Sequence, residues 1–205
     1  MTKIVKDSLI SHKREPVILA SGSKTRRQQL IDAGIPFEII VSNVDETPDK
    51  KKSFRDQLAE IAMRKAQEVL RQTKNRGLRL IIAGDQNMVF KGKMFGKPES
   101  IDEAREILKM LRGSKDLYAY NGNAVLLVKK DLVLQSINVT DVARLSIDDI
   151  SDGEIDDYIR DGECLNCCGG ISITDAPFVH LVEGRESTVK GITLEYVEEL
   201  LPSLS

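Results

Sequence analysis

Short apolar runs alternate with one-faced helical stretches along almost the whole chain, and this alternation most narrows the folds open to it. Residues 17–20 form an apolar run that stops at Ser21-Gly22-Ser23, and residues 24–33 then read as a helix closed by Gly34. Residues 37–41 read as a strand leading into Asp45-Glu46-Thr47-Pro48 and a charged loop over 49–53. Phe54, Leu58, Ile61, Ala62 and Val69 recur at the spacing of one helical face. Residues 79–83 read as a strand ending at Gly84-Asp85-Gln86, continued by 87–90 toward a turn at 91–93, with residues 95–98 a further loop. Ser100 and Glu103 form a capping box ahead of Ala104, Ile107, Leu108 and Leu111, and Gly113 closes that helix. Residues 118–128 and 132–145 read as two long strands joined as a hairpin. Ser151 or Asp152 caps a short helix ending at Ile159, residues 164–175 are loop or strand, 178–182 a strand, and 193–201 a last helix stopped by Pro202. The expected class is α/β with a mixed sheet.

A chain of 205 residues suits one medium domain, or one domain in two lobes. Thirty Lys+Arg against 32 Asp+Glu leave a net charge of −2, with no excess of cations to track a nucleic-acid backbone, so no nucleic-acid partner is expected. The longest uninterrupted apolar stretch, 124–128, falls far short of the roughly 20 residues that cross a bilayer, and no membrane association is expected. The N-terminus lacks the apolar core of a secretory signal, which makes the cytoplasm the expected compartment. Cys164, Cys167 and Cys168 are an odd cluster suited to reduced thiols. With His12 and His180 both far off in sequence, and no second cysteine pair, a zinc site is not expected. No Walker loop and no dinucleotide-binding glycine motif follows a strand.

Several segments are suited to holding an anion or a proton. Ser21-Gly22-Ser23 opens a helix carrying Lys24, Arg26 and Arg27, where free N–H groups, hydroxyls and cations add in sign; the simpler alternative is that Ser23 is an N-cap. Asp45-Glu46 and Asp85 are expected just past strand ends, where carboxylates hold a hard cation or take a proton from water; the alternative is turn and capping duty. At about 100° per residue, Lys65 falls between Phe54 and Leu58 in the middle of the apolar stripe. It is either a snorkelling lysine or an ammonium aimed into a cleft. Lys97 sits on a loop stiffened by Pro98 and could meet a polyphosphate; the alternative is an ordinary exposed loop lysine.

In order along residues 16 to 202, Leu19-Ala20-Ser21-Gly22-Ser23-Lys24-Thr25-Arg26-Arg27, Val44-Asp45-Glu46-Thr47-Pro48, Arg64-Lys65-Ala66, Gly84-Asp85-Gln86, Gly96-Lys97-Pro98 and Val182-Glu183-Gly184-Arg185 resemble the motifs of the Maf family of nucleoside triphosphate pyrophosphatases. The Glu-Thr-Pro, Asp-Gln and Glu-Gly-Arg segments resemble especially the branch acting on 7-methylguanosine triphosphate. The resemblance implies a cytoplasmic enzyme, often a homodimer, with an elongated two-lobed α/β domain like that of inosine triphosphate pyrophosphatases. It implies hydrolysis of a nucleoside triphosphate to monophosphate and pyrophosphate with a divalent cation (Mg²⁺, Mn²⁺ or Co²⁺), and in some members a link to septum formation and cell division.

Carried over motif by motif, Asp85 matches the proton acceptor, and Glu46, Lys65 and Lys97 the other catalytic positions. Glu46 and Asp85 become the metal ligands, and Ser21, Ser23 and Arg26 the phosphate-binding loop. Thr25, Gln86 and Thr174 fall where base choice is set. The chain departs from the family at Lys24 and Thr25, at Asn121-Gly122, over 167–175 and at Lys190-Gly191-Ile192-Thr193-Leu194. Residues 1–15 are expected to be an N-terminal extension and 16–205 the pyrophosphatase domain. The altered late segment supports a second expectation, a catalytically weak nucleotide-binding regulator of division.

Overall fold

The computed structural model describes residues 16–204; the expected extension at 1–15, with His12, lies outside them. Among the described residues seven strands and six α-helices follow one another: β1 (Val17–Leu19), α1 (Lys24–Asp32), β2 (Glu38–Ile39), α2 (Phe54–Gln72), β3 (Leu78–Phe90), β4 (Lys93–Phe95), α3 (Ile101–Leu111), β5 (Leu117–Lys129), β6 (Leu132–Ile147), α4 (Asp152–Ile159), β7 (Val179–Glu183), α5 (Glu186–Lys190) and α6 (Leu194–Leu200). The sheet runs β2-β1-β3-β5-β6-β7, with β4 paired to β3. β1 is parallel to both β2 and β3, whereas β3–β4 and β6–β7 are antiparallel, so the sheet is mixed as expected.

The described residues divide into two compact units, one of 16–85, 121–141 and 191–204, the other of 86–120 and 142–190. In the first, strand residues alternate between two apolar clusters. Val17, Leu19, Leu80, Ile82, Val125 and Leu127 pack with Leu30 and Ile31 of α1 and Val197 and Leu200 of α6. Their neighbours Ile18, Ala20, Ile81, Ala83, Ala124, Leu126 and Val128 pack with Ala62, Ala66 and Val69 of α2. A strand buried on both faces is apolar at nearly every position, which is why 17–20 and 80–83 read as continuous runs; Arg79 ahead of the second is the exception, buried and donating to Thr73 Oγ1. α2 presses closely on the sheet at Gly122, where a Cβ would lie 2.3 Å from the Leu58 carbonyl. In the second unit Met88, Phe90, Leu108, Leu111, Leu145, Ile155, Ile159 and Phe178 share one core.

Local capping follows the sequence except at α3, where the Glu103 carboxylate accepts from the Glu99 amide rather than from the Ser100 amide, so the expected box is only half formed. Ser23, Ser53, Ser100 and Ser151 cap α1, α2, α3 and α4, and Ser151 with Glu154 closes a reciprocal box. The second strand is shorter than expected, Glu38–Ile39 rather than 37–41. Gly84-Asp85-Gln86 does not end a strand: β3 continues unbroken through it to Phe90. Asp85 therefore stands inside a strand, not in a loop beyond it. Residues 164–175 hold two short 3-10 turns, Glu163–Asn166 and Cys168–Gly170, and no strand. β4 and α5 were absent from the sequence expectation, and the last α-helix ends at Leu200, before Pro202, with a 3-10 turn running on through it. No helix among the described residues is long and apolar enough to cross a membrane.

Candidate active site

Lys65 sits on the face of α2 that also buries Ala62 and Ala66, and only 7% of it is exposed. Its ammonium is not snorkelling to water. Nζ lies 2.7 Å from Asp85 Oδ1 and 2.7 Å from Glu46 Oε2, so one buried cation is shared by two carboxylates from separate elements. Asp85 is delivered by β3, whose flanking residues Ile82 and Ala83 are core, and its side chain is 14% exposed. Glu46 is delivered by the segment between β2 and α2 and its side chain is 55% exposed. Charge-assisted contacts of this length join all three groups, the Asp85 contact shielded from water and the Glu46 contact open to it.

Ser21, Ser23 and the first turn of α1 form a second cluster in the same unit. Arg26 donates through Nη1 to Ser21 Oγ at 3.1 Å and through Nε to the Gly191 carbonyl at 2.8 Å. Ser21 Oγ also accepts from the Ser23 amide, and Ser23 Oγ accepts from the Arg26 amide, so Ser23 is the N-cap that the simpler reading required. A Cβ on Gly84 would lie 3.2 Å from Arg26 Nε and 2.8 Å from the Gly191 carbonyl. Glycine at 84 thus leaves room for the guanidinium beside the residue preceding Asp85, while the strand carries on. Thr25, the second residue of α1, is half-buried.

Gln86, Lys97 and Thr174 belong to the second unit. Lys97 and Thr174 are exposed. Gln86 Nε2 donates to the Thr188 and Val189 carbonyls at 2.9 and 2.8 Å, which orients its amide with the oxygen turned away from them. The Cys168 thiol donates to the Gln86 carbonyl. All three cysteines are free, and burial, with Asp175 adding in the same direction, pushes the Cys167 thiol up to about 11. His180 is exposed and pairs with Asp148 at 2.9 Å, a surface role. The turn reading holds for Asp45, whose Oδ1 accepts from the Thr47 amide at 2.8 Å; hydrogen bonds from Thr47 hold its carboxyl below the usual range.

Along the whole of this framework the profile of the Maf-like protein family matches residues 16–204. The chain belongs to the Maf-like family. This Maf-like protein is 31% identical to a dTTP/UTP pyrophosphatase of Bdellovibrio bacteriovorus over 189 residues, 90% of this chain and 96% of the relative. It is 33% identical to a nucleoside triphosphate pyrophosphatase of Synechococcus over 191 residues, 92% of this chain and 94% of the relative. Among solved structures, a nucleoside-triphosphatase/dITP/XTP pyrophosphatase from Mycobacterium abscessus is similar over 92% of this chain and 95% of that one, at 15% identity and a TM-score of 0.41, too low to bear on activity.

In this Maf-like protein, residues far apart in sequence come together as Glu46, Lys65 and Asp85, whereas Ser21, Ser23 and Arg26 meet within one local turn. Two contributors went unread in the sequence. Gly191 receives Arg26 through its carbonyl, with a φ of +101°, a conformation favouring glycine. Arg64 bonds the carbonyls of Asp45 and Thr47. Its place beside Lys65 in Arg64-Lys65-Ala66 was the available signal. No group of three or more His, Cys, Asp or Glu able to hold a metal occurs among the described residues.

Proposed function

We propose that this Maf-like protein is a nucleoside triphosphate pyrophosphatase, cleaving between the α- and β-phosphorus to give a monophosphate and pyrophosphate. One observation carries the reading: a buried ammonium held 2.7 Å from two carboxylates, in a chain whose relatives over nine-tenths of its length bear that activity in their names. Asp85 takes the proton of the attacking water. Lys65 offsets charge gathering on the phosphate, because a cation already desolvated and fixed needs little reorganisation. Ser21, Ser23 and Arg26 hold phosphate oxygens at the start of α1. Lys97 is assigned to the polyphosphate by its motif alone.

The donor set suits a divalent cation only in part. Glu46 and Asp85 offer hard oxygens on one ammonium, and two carboxylates are what a Mg²⁺-type ion takes when substrate phosphates and water complete its shell. Bound there, Mg²⁺, Mn²⁺ or Co²⁺ would neutralise part of a triphosphate's charge. Thr25, Gln86 and Thr174 are proposed to choose the base. The orientation of the Gln86 amide supports a base edge that presents a hydrogen-bond donor. The relatives' names favour dTTP and UTP, whereas Glu46-Thr47-Pro48 and Asp85-Gln86 favour 7-methylguanosine triphosphate. The homodimer, the cytoplasmic setting and the link to septum formation rest on family resemblance alone.

The test is incubation with dTTP, UTP, 7-methylguanosine triphosphate and the common triphosphates in ¹⁸O-water with each cation. The reading expects monophosphate and pyrophosphate in equal amounts, with the label in the monophosphate. Orthophosphate as first product, or nucleotide left intact by every combination, overturns it; nucleotide bound but intact favours the regulatory alternative.

A further inference from the structure

Glu46 stands on a stretch without regular structure between β2 and α2, more than half exposed, and yet its carboxylate meets Lys65 at 2.7 Å. The grip on this stretch comes from α2 itself. Arg64 Nη1 donates to the Asp45 carbonyl at 2.6 Å and Nη2 to the Thr47 carbonyl at 3.1 Å, the main-chain oxygens immediately before and after Glu46. The Thr47 amide closes a turn over Glu46 by donating to Asp45 Oδ1 at 2.8 Å. Consecutive helix positions diverge by about 100°, so one turn of α2 aims Lys65 and Arg64 in different directions from a single rigid base. The Arg64 Nε is buried with no partner, which an arginine merely lying on a surface would avoid by turning to water.

We infer that Arg64 is a positioning residue that fixes the Glu46 carboxylate against Lys65 by gripping the carbonyls on either side of it. A planar guanidinium spans two acceptors with two nitrogens in a fixed fork, and an ammonium holds only one of them in that geometry. Arg64 need touch no reacting atom. The kinetic consequence rests on the pyrophosphatase reading; the ordering of the loop does not.

The experiment compares Arg64→Gln and Arg64→Lys with the wild type, alone and combined with Glu46→Gln. Losing such a support lowers kcat by about ten- to a hundredfold, with KM moved less than about twofold. Because Arg64 acts through Glu46, Arg64→Gln added to Glu46→Gln lowers kcat no further. In parallel, ¹⁵N relaxation of the Glu46 and Thr47 amides reports increased mobility in both Arg64 variants, and Arg64→Lys supplies the comparison if Arg64→Gln does not fold. An unchanged kcat, an equal loss in the presence and absence of Glu46, or unchanged amide relaxation overturns the inference. A wild type that releases no pyrophosphate removes the pyrophosphatase reading while leaving the relaxation arm to judge the clamp.

Discussion

Replacing Lys65 by methionine keeps a four-atom apolar stem and removes the terminal ammonium. The two carboxylate oxygens that shared the ammonium, each 2.7 Å from Nζ, then face each other across no more than twice that distance. Two full charges about 5 Å apart repel by about 3 kcal/mol at an effective dielectric of 20. Glu46 is 55% exposed, so water screens that repulsion down to about 1 kcal/mol. Asp85, at 14% exposure, also loses the partner that offset its desolvation, worth about 1–2 kcal/mol more. The expected destabilisation is roughly 2–3 kcal/mol, or about 5–10 °C in midpoint for a chain of this size. Urea and thermal unfolding of Lys65→Met measure it, and Lys65→Met/Asp85→Asn, which removes the unpaired charge, recovers at least half. A single variant within about 0.5 kcal/mol of the wild type, or a double variant weaker than the single, refutes the shared-cation reasoning.

Two other perturbations test different parts of the framework. Gly84→Ala places a Cβ 2.8 Å from the Gly191 carbonyl and 3.2 Å from Arg26 Nε, and is expected to destabilise by about 1–3 kcal/mol and lower kcat/KM about tenfold or more, with wild-type kinetics contradicting the fit. The folded chain holds the Cys167 proton up to about 11, whereas the unfolded thiol releases it near 9.0, so between those values the folded state binds more protons. Stability accordingly falls as pH rises through that window, by about 1–2 kcal/mol, and Cys167→Ser removes this part of the slope in urea midpoints measured at pH 8 and 10.5.

Much of the site could be read from spacing because its residues carry their chemistry in conspicuous places. Lys65 was legible as a cation inside an apolar stripe, and the stripe itself follows from α2 lying on the strand face of Ile81 and Ala83. The caps at Ser100 and Ser151 were legible because side chain and backbone meet within one turn. Asp85 was misplaced beyond a strand end because Gly84 punctuates the sequence as a turn does; its purpose, to admit Arg26 and the Gly191 carbonyl, depends on residues more than fifty positions away on either side. α5 went unread because its five residues, Glu186–Lys190, are too few to display a helical period. Arg64 was hidden for another reason: its partners are main-chain carbonyls, which any sequence supplies.

The most direct measurement is pyrophosphate release by the wild type and by Asp85→Asn on the triphosphate the wild type prefers, with nucleotide affinity followed alongside. Loss of the proton acceptor is expected to lower turnover on the order of a hundredfold or more while binding stays within a few fold. An Asp85→Asn protein that folds, binds and still turns over at near the wild-type rate would contradict the role given to Asp85 beside Lys65.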